Sequence, residues 1–301
     1  MKKFIVLLLS CLSMTVANAN TPLTVGIVWP FNIGSTQANY SRALIEVANR
    51  SQNRYVFVLE NKPGAGSSIA ANYAASNNRP TLMAATSSFF IRPNFFPTSS
   101  HLVSQFTPLM VQCAVPMVVV SKKYKTLADV PKTARITVGV SGLGTTTHLL
   151  TATLKKHYPN MEAIPYQGTM APINDMLGGS LDMAVGFPGE LKQFIDTNRL
   201  NVLGISGPES YPGMRTFKSQ GIPEAELVVN THALVAPKSI PPWVAEDIQK
   251  ILMEASKDPL VTAAYAVDDC VNGNVNPAET VKWFNQQTEY WRGATNGIRI
   301  N

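Results

Sequence analysis

Two α/β lobes joined by two crossing strands, with a ligand cleft between them, are what this sequence predicts. Three observations carry the expectation. Short apolar runs rich in β-branched residues alternate with helical stretches, which is how parallel strands joined by helical crossovers read. The alternation restarts after Lys122. Two longer extended runs, Leu109 to Ser121 and Leu227 to Pro237, bracket the middle block and are expected to cross between lobes. The expected division is a leader of residues 1–19, a first lobe of 20–121 plus 234–301, and a second lobe of 122–233.

In chain order, "LTVGIVWP" from Leu23 is a buried strand ended by proline, and "YSRALIEVANR" from Tyr40 has helical periodicity. "YVFVLE" is a strand, "GSSIAANYAAS" a helix, and "TLMAAT" a strand that ends in the polar loop "TSSFFIRPN". After the first crossing run, "TLADVP" reads as a short helix, "RITVGV" as a strand and "SGLGTTTHLLTATLKKHY" as a glycine-rich loop entering a helix. "EAIPY" and "LDMAVGF" are strands flanking "APINDMLGGS", a helix closed by Gly178-Gly179 as its C-cap. "PGELKQFIDTNR" is a helix and "LNVLGIS" a strand. Helices beginning at Pro241, Asp258 and Ala278 complete the chain, with Trp243, Trp283 and Trp291 expected to pack them.

The first residues, "MKKFIVLLLSCLSMTVANAN", join a basic start to a short apolar run and a small-x-small site. They read as a secretory signal cleaved after Ala19, so the protein is expected in the periplasm. A lipid anchor at Cys11 is the lesser alternative. Removing Lys2 and Lys3 lowers the formal net charge from +6 to +4, and the remaining basic residues are scattered. Nucleic-acid binding wants a concentrated basic stripe, so it is excluded. A monomer is expected. Cys113 and Cys270 survive cleavage; they read as buried free thiols, although spacing leaves a disulfide open.

In open parallel α/β sheets, ligands bind where strands pass into helix starts. Here those loops are rich in Gly, Ser and Thr and nearly free of charge. The candidate contacts are Phe31, Asn32, Gly34, Ser35 and Thr36 in the first loop, then Gly66, Ser67 and Ser68 in the second. Thr86 and Ser87 follow in the third, and Gly144, Thr145, Thr146 and Thr147 in the fourth. Tyr166, Gly168, Phe187 and Glu190 complete the second lobe's set, and His232 is a candidate on the second crossing run. A helix start offers unpaired N–H groups and a positive dipole end, so several facing one cleft hold a carboxylate without a cation. Each Ser or Thr alone also reads as an ordinary N-cap. His148 reads as structural, and Glu190 either favours its helix dipole or meets an ammonium or metal on the ligand.

No catalytic signature is present. "GVSGL" has Leu143 where a nucleophile elbow needs glycine, and "GLGTTT" and "GAGSSI" lack the last glycine of a dinucleotide fingerprint. Neither a metal nor a cofactor is expected, and the protein is read as a binding protein. An exported hydrolase using Ser141 or Ser67 with His148 is the alternative, as is a ligand-dependent input to a membrane sensor kinase.

"VLENKPGAGSSIAA", "GTTTHL" and "IPYQGTMAPINDMLGGSLDMAVG", with the closing helices, resemble the Bug/TctC family of extracytoplasmic receptors of tripartite tricarboxylate transporters. The resemblance implies a type II periplasmic-binding-protein fold, a small carboxylate ligand (a di- or tricarboxylate, acidic amino acid or aromatic acid) and membrane transport subunits as partners. It matches Gly64, Gly66, Ser67, Thr86, Ser87, Gly144 to Thr147, Tyr166 and Gly168, with Asp182 structural. It departs from the family's usual "PFxPGGxxD" at Ser35 and Ala38, and also at Gly186 and Glu190.

Overall fold

The computed structural model describes residues 21–207, 213–272 and 277–298; the expected signal segment and Cys11 lie outside them. Parallel strands Leu23–Trp29 (β1), Tyr55–Asn61 (β2) and Thr81–Thr86 (β3) are joined by helices Thr36–Ser51 (α1) and Ser68–Ser76 (α2). β3 is buried throughout, as a central strand must be. β2 alternates at its start, with Val56 and Val58 exposed on the open side of an edge strand. Helices Ser87–Phe95 (α3) and Ser100–Ser104 (α4) lead into Phe106–Val115 (β4) and Val118–Ser121 (β5).

The middle block holds Ile136–Val140 (β6), Thr146–Leu154 (α5), Met161–Pro165 (β7), Met170–Gly178 (α6), Met183–Gly186 (β8), Pro188–Asp196 (α7) and Asn201–Ile205 (β9). "TLADVP" forms only a 3-10 turn at Leu127–Asp129. Then come Pro223–Glu226 (α8), Asn230–Pro237 (β10), Pro242–Ala255 (α9), Pro259–Ala266 (α10), Val271–Asn272 (β11) and Pro277–Thr295 (α11). The strands make two sheets, ordered β11-β4-β10-β3-β1-β2 and β7-β6-β8-β5-β9. Gly179 caps α6 in the left-handed conformation, as expected.

The crossings differ from expectation in position. The run Leu109 to Ser121 is two strands, because Pro116 has no N–H to continue a ladder. The chain therefore changes sheet between Val115 and Val118 rather than after Ser121. β10 lies entirely in the first sheet, so the return precedes Asn230 rather than falling at residue 234. At the first passage Met117 N donates to Ser206 Oγ at 2.8 Å and Ser206 N donates to Met117 O at 2.9 Å, which extends the β5–β9 pairing by one residue.

α9, α10 and α11 pack on the first lobe, where Trp283 and Phe284 meet Phe90 edge-on. Trp243 is a correction: it is 71% exposed, because the first turn of α9 points it at solvent. Cys113 and Cys270 are a second correction. β11 pairs with β4 and places them at a Cα separation of 5.4 Å in a disulfide, which sequence spacing did not reveal.

Asp182 is structural. Its carboxylate accepts from Thr137 N and Oγ1 and pairs with Lys123, tying β6 to the start of β8.

Candidate functional site

Each sheet delivers its helix N-termini to the gap between the lobes, as parallel strand–loop–helix order requires. An inner chamber of about 30 Å³ lies there. Ser35, Thr86, Thr169 and Phe187, the N-cap residues of α1, α3, α6 and α7, line it, together with Thr146, the first residue of α5. Five helix starts from both lobes thus face one small space. Among the described residues, none with a charged side chain lines it.

The lining chemistry is neutral donors and aromatic walls. Thr86 Oγ1 is buried with no hydrogen-bond partner, and it leaves its own helix uncapped. Thr146 Oγ1 donates to Asn230 Oδ1 at 3.0 Å, and Asn230 Nδ2 lies 3.0 Å from His232 Nε2. Burial pushes His232 down to about 3, so the ring is neutral. It stacks on Trp29 at 5.9 Å.

A second, outer chamber of about 270 Å³ shares Phe31 and Ser141 with the inner one. Its walls are the Pro63 to Gly66 turn, Ser141 to Leu143, Tyr166, Gln167, Phe96 and Arg92. The turn needs glycine: Gly64 and Gly66 have φ of 121° and 51°, and Ala65 and Ser67 are also left-handed. A Cβ on Gly66 would lie 3.3 Å from Leu143 O across the gap.

Of the candidates drawn from the sequence, Phe31, Asn32, Ser35, Thr86, Thr146, Thr147, Gly168, Phe187 and His232 line the inner chamber. Phe31, Gly66 and Tyr166 line the outer one. Gly34, Thr36, Ser67, Ser68, Ser87, Gly144, Thr145 and Glu190 line neither, and internal bonds or packing hold them. Asn32 Oδ1 accepts Gly34 N. Thr36 donates to Asp268, Ser67 to Gly66 O, Ser68 to Ser99 and Ser87 to Val229 O. Gly144 N donates to His148 Nδ1 while Gly144 packs on Phe96, and Thr145 caps α5.

Glu190 is buried beside Thr169 and Phe187, with no well-formed hydrogen bond to either carboxylate oxygen. Burial and the nearby Asp268 push it up to about 8, against a weaker pull from Thr169 and the Phe187 backbone. Asp268 is fully buried and accepts from Thr36, Gln37 and Tyr40 in the first lobe and from Gly189 N of α7 at 2.7 Å.

Sequence reasoning missed Trp29, Asn230, Arg92 and Asp268 as residues of this region. Asn230 was within reach, since it lies two residues before His232 on one strand face. Nothing local marks the others. The Ser–His alternative is not assembled: His148 Nδ1 accepts Gly144 N at 3.1 Å, and the Ser141 hydroxyl is engaged by Thr145 and Thr147. Burial lowers His148 to about 4.

The fold recurs in solved structures. The periplasmic binding protein BugD matches with a TM-score of 0.81 at 22% identity, covering 91% of this chain and 96% of that one. R. palustris Rpa4515 with adipate matches with a TM-score of 0.81 at 20% identity, covering 90% and 96%. The expected two-lobed periplasmic-binding-protein fold is therefore the observed one. In sequence, the chain is 24% identical over 294 residues to the UPF0065 protein in the tcbD-tcbE intergenic region of Pseudomonas sp. strain P51, covering 91% of this chain and 87% of that protein. The model of the tripartite tricarboxylate transporter family receptor (TctC) matches residues 42–295, and the chain belongs to that family.

Proposed function

We propose that this protein is an extracytoplasmic receptor that captures a small carboxylate between its lobes and presents it to the membrane subunits of a tripartite tricarboxylate transporter. One observation carries the reading: five helix N-termini and the unpartnered hydroxyl of Thr86 converge on an uncharged chamber. Peptide dipoles and hydroxyls there hold an anion without a counter-charge. Neutral His232 keeps the chamber free of a fixed cation. Adipate in a structural neighbour and receptor membership support the ligand class and the partner.

A disulfide supports an oxidising compartment, in keeping with a leader cleaved after Ala19. Closure about the passages at Pro116-Met117 and just before Asn230 excludes water and strengthens each polar contact. Calorimetry of the mature protein against a panel of organic acids tests the reading. At least one carboxylate saturates the wild type. Thr86→Val weakens it by roughly 1.5–3 kcal/mol, the scale of a hydrogen bond to a charged group. Silence across the panel overturns the proposal.

A further inference from the structure

The two chambers differ in size and in charge. By the measure that gives the inner chamber about 30 Å³, one water needs at least about 10–15 Å³. The inner space therefore suits a single carboxylate group, and the rest of any ligand must extend past Phe31 and Ser141 into the outer chamber of about 270 Å³.

Among the described residues, Arg92 is the one cationic side chain lining that outer space. It is partly buried and its guanidinium stacks on Phe96 at 4.0 Å. Nη1 donates to Leu143 O of the opposite lobe at 2.8 Å. Nε is buried with no hydrogen-bond partner, and among the described residues no carboxylate forms an ion pair with the group. Burial lowers its affinity for the proton, the sign of a charge taken from water without compensation. An anion brought beside it supplies that compensation through charge-assisted hydrogen bonds. The packing is made for this side chain. A Cβ on Gly66 would meet Arg92 Cδ at 3.1 Å, and one on Gly144 would meet Arg92 Cγ at 3.4 Å.

We propose that Arg92 and the outer chamber form a second anionic subsite, so that the protein selects linear acids carrying a second carboxylate over monoacids of the same length. The inference rests on the carboxylate-receptor reading and adds its specificity. Arg92 is also placed to couple occupancy to closure, since the same guanidinium holds Leu143 of the other lobe.

The test is calorimetry on the full mature chain with the series from succinate to suberate and the monomethyl ester of each diacid. The wild type, Arg92→Gln and Arg92→Lys are compared. The wild type is expected to bind its best diacid about tenfold or more tighter than the half-ester, the scale of a charge-assisted bond. Arg92→Gln removes that preference and Arg92→Lys keeps part of it. Equal binding of diacid and half-ester by the wild type overturns the subsite, and that comparison needs no variant to fold. Loss of both ligands by the same factor in a folded Arg92→Gln also overturns it, leaving Arg92 as a tie between lobes. If neither diacids nor half-esters bind the wild type, while other acids do, the subsite alone fails. Absence of any acid binding sinks the receptor reading with it.

Discussion

At the scale of single residues, Glu190 shows how little a side chain's identity says before its surroundings are known. It sits in the first turn of α7, where a carboxylate ordinarily gains from the helix dipole. Here burial outweighs that gain and the group is pushed up to about 8. Below about 4.5, the folded and unfolded chains both hold the proton and the group costs nothing. As pH rises from there toward 8, the folded state keeps a proton that the unfolded state has lost, so stability falls; above 8 the penalty is complete. Its size is on the order of a few kcal/mol. Glu190→Gln removes the ionisation, so the variant should be more stable than the wild type near pH 8 and nearly matched near pH 5. Urea melts at both pH values check this, and an unchanged difference between the two proteins would refute it.

At the scale of elements, the helix starts are the proposed binding parts, and the start of α7 meets a carboxylate of the protein itself. The N-terminus of α7 receives Asp268 of the other lobe, through Gly189 N at 2.7 Å. That approach needs glycine for space. A Cβ at Gly189 would fall 2.5 Å from Asp268 Oδ1 and 2.9 Å from the backbone oxygen of Val267. Gly189→Ala therefore forces α7 away from the first lobe, at a cost of about 1–3 kcal/mol typical of overpacking. The measurable outcome is weaker ligand binding together with a wider interlobe geometry by small-angle scattering. Wild-type affinity and scattering in the variant would show that the contact yields without consequence.

At the scale of the whole molecule, the disulfide joins β4 to the segment before β11 across 157 residues of sequence. By chain entropy such a loop is worth about 5 kcal/mol, and measured losses are typically 2–5 kcal/mol. Replacing Cys113 and Cys270 together by serine should lower the melting temperature by several degrees or more. An unchanged melt would mean the bond contributes nothing. Binding should survive, because the bond lies outside both chambers.

Most of the fold was legible in the sequence because it is written in local terms. β-branched runs, turn glycines and helical periodicity mark β1 to β3, β6 to β9 and the closing helices wherever they occur. Pro116, with no N–H to offer a ladder, is the local mark of the split in the first crossing run. The candidate site was legible as a set of loops, since a strand-to-helix turn rich in Gly, Ser and Thr is a local feature with a known address in the sheet. Which of those residues reach the chambers was not legible, because Thr86 and Ser87 are neighbours in sequence yet one hydroxyl is free and the other is bound to Val229 O. Arg92, Asp268 and the Cys113–Cys270 bond acquire meaning only from partners distant in sequence. Composition and periodicity thus determined two α/β lobes and a hydroxyl-rich cleft. Tertiary packing alone decided which groups lose water and which find a partner, since both depend on what the chain brings back from far away.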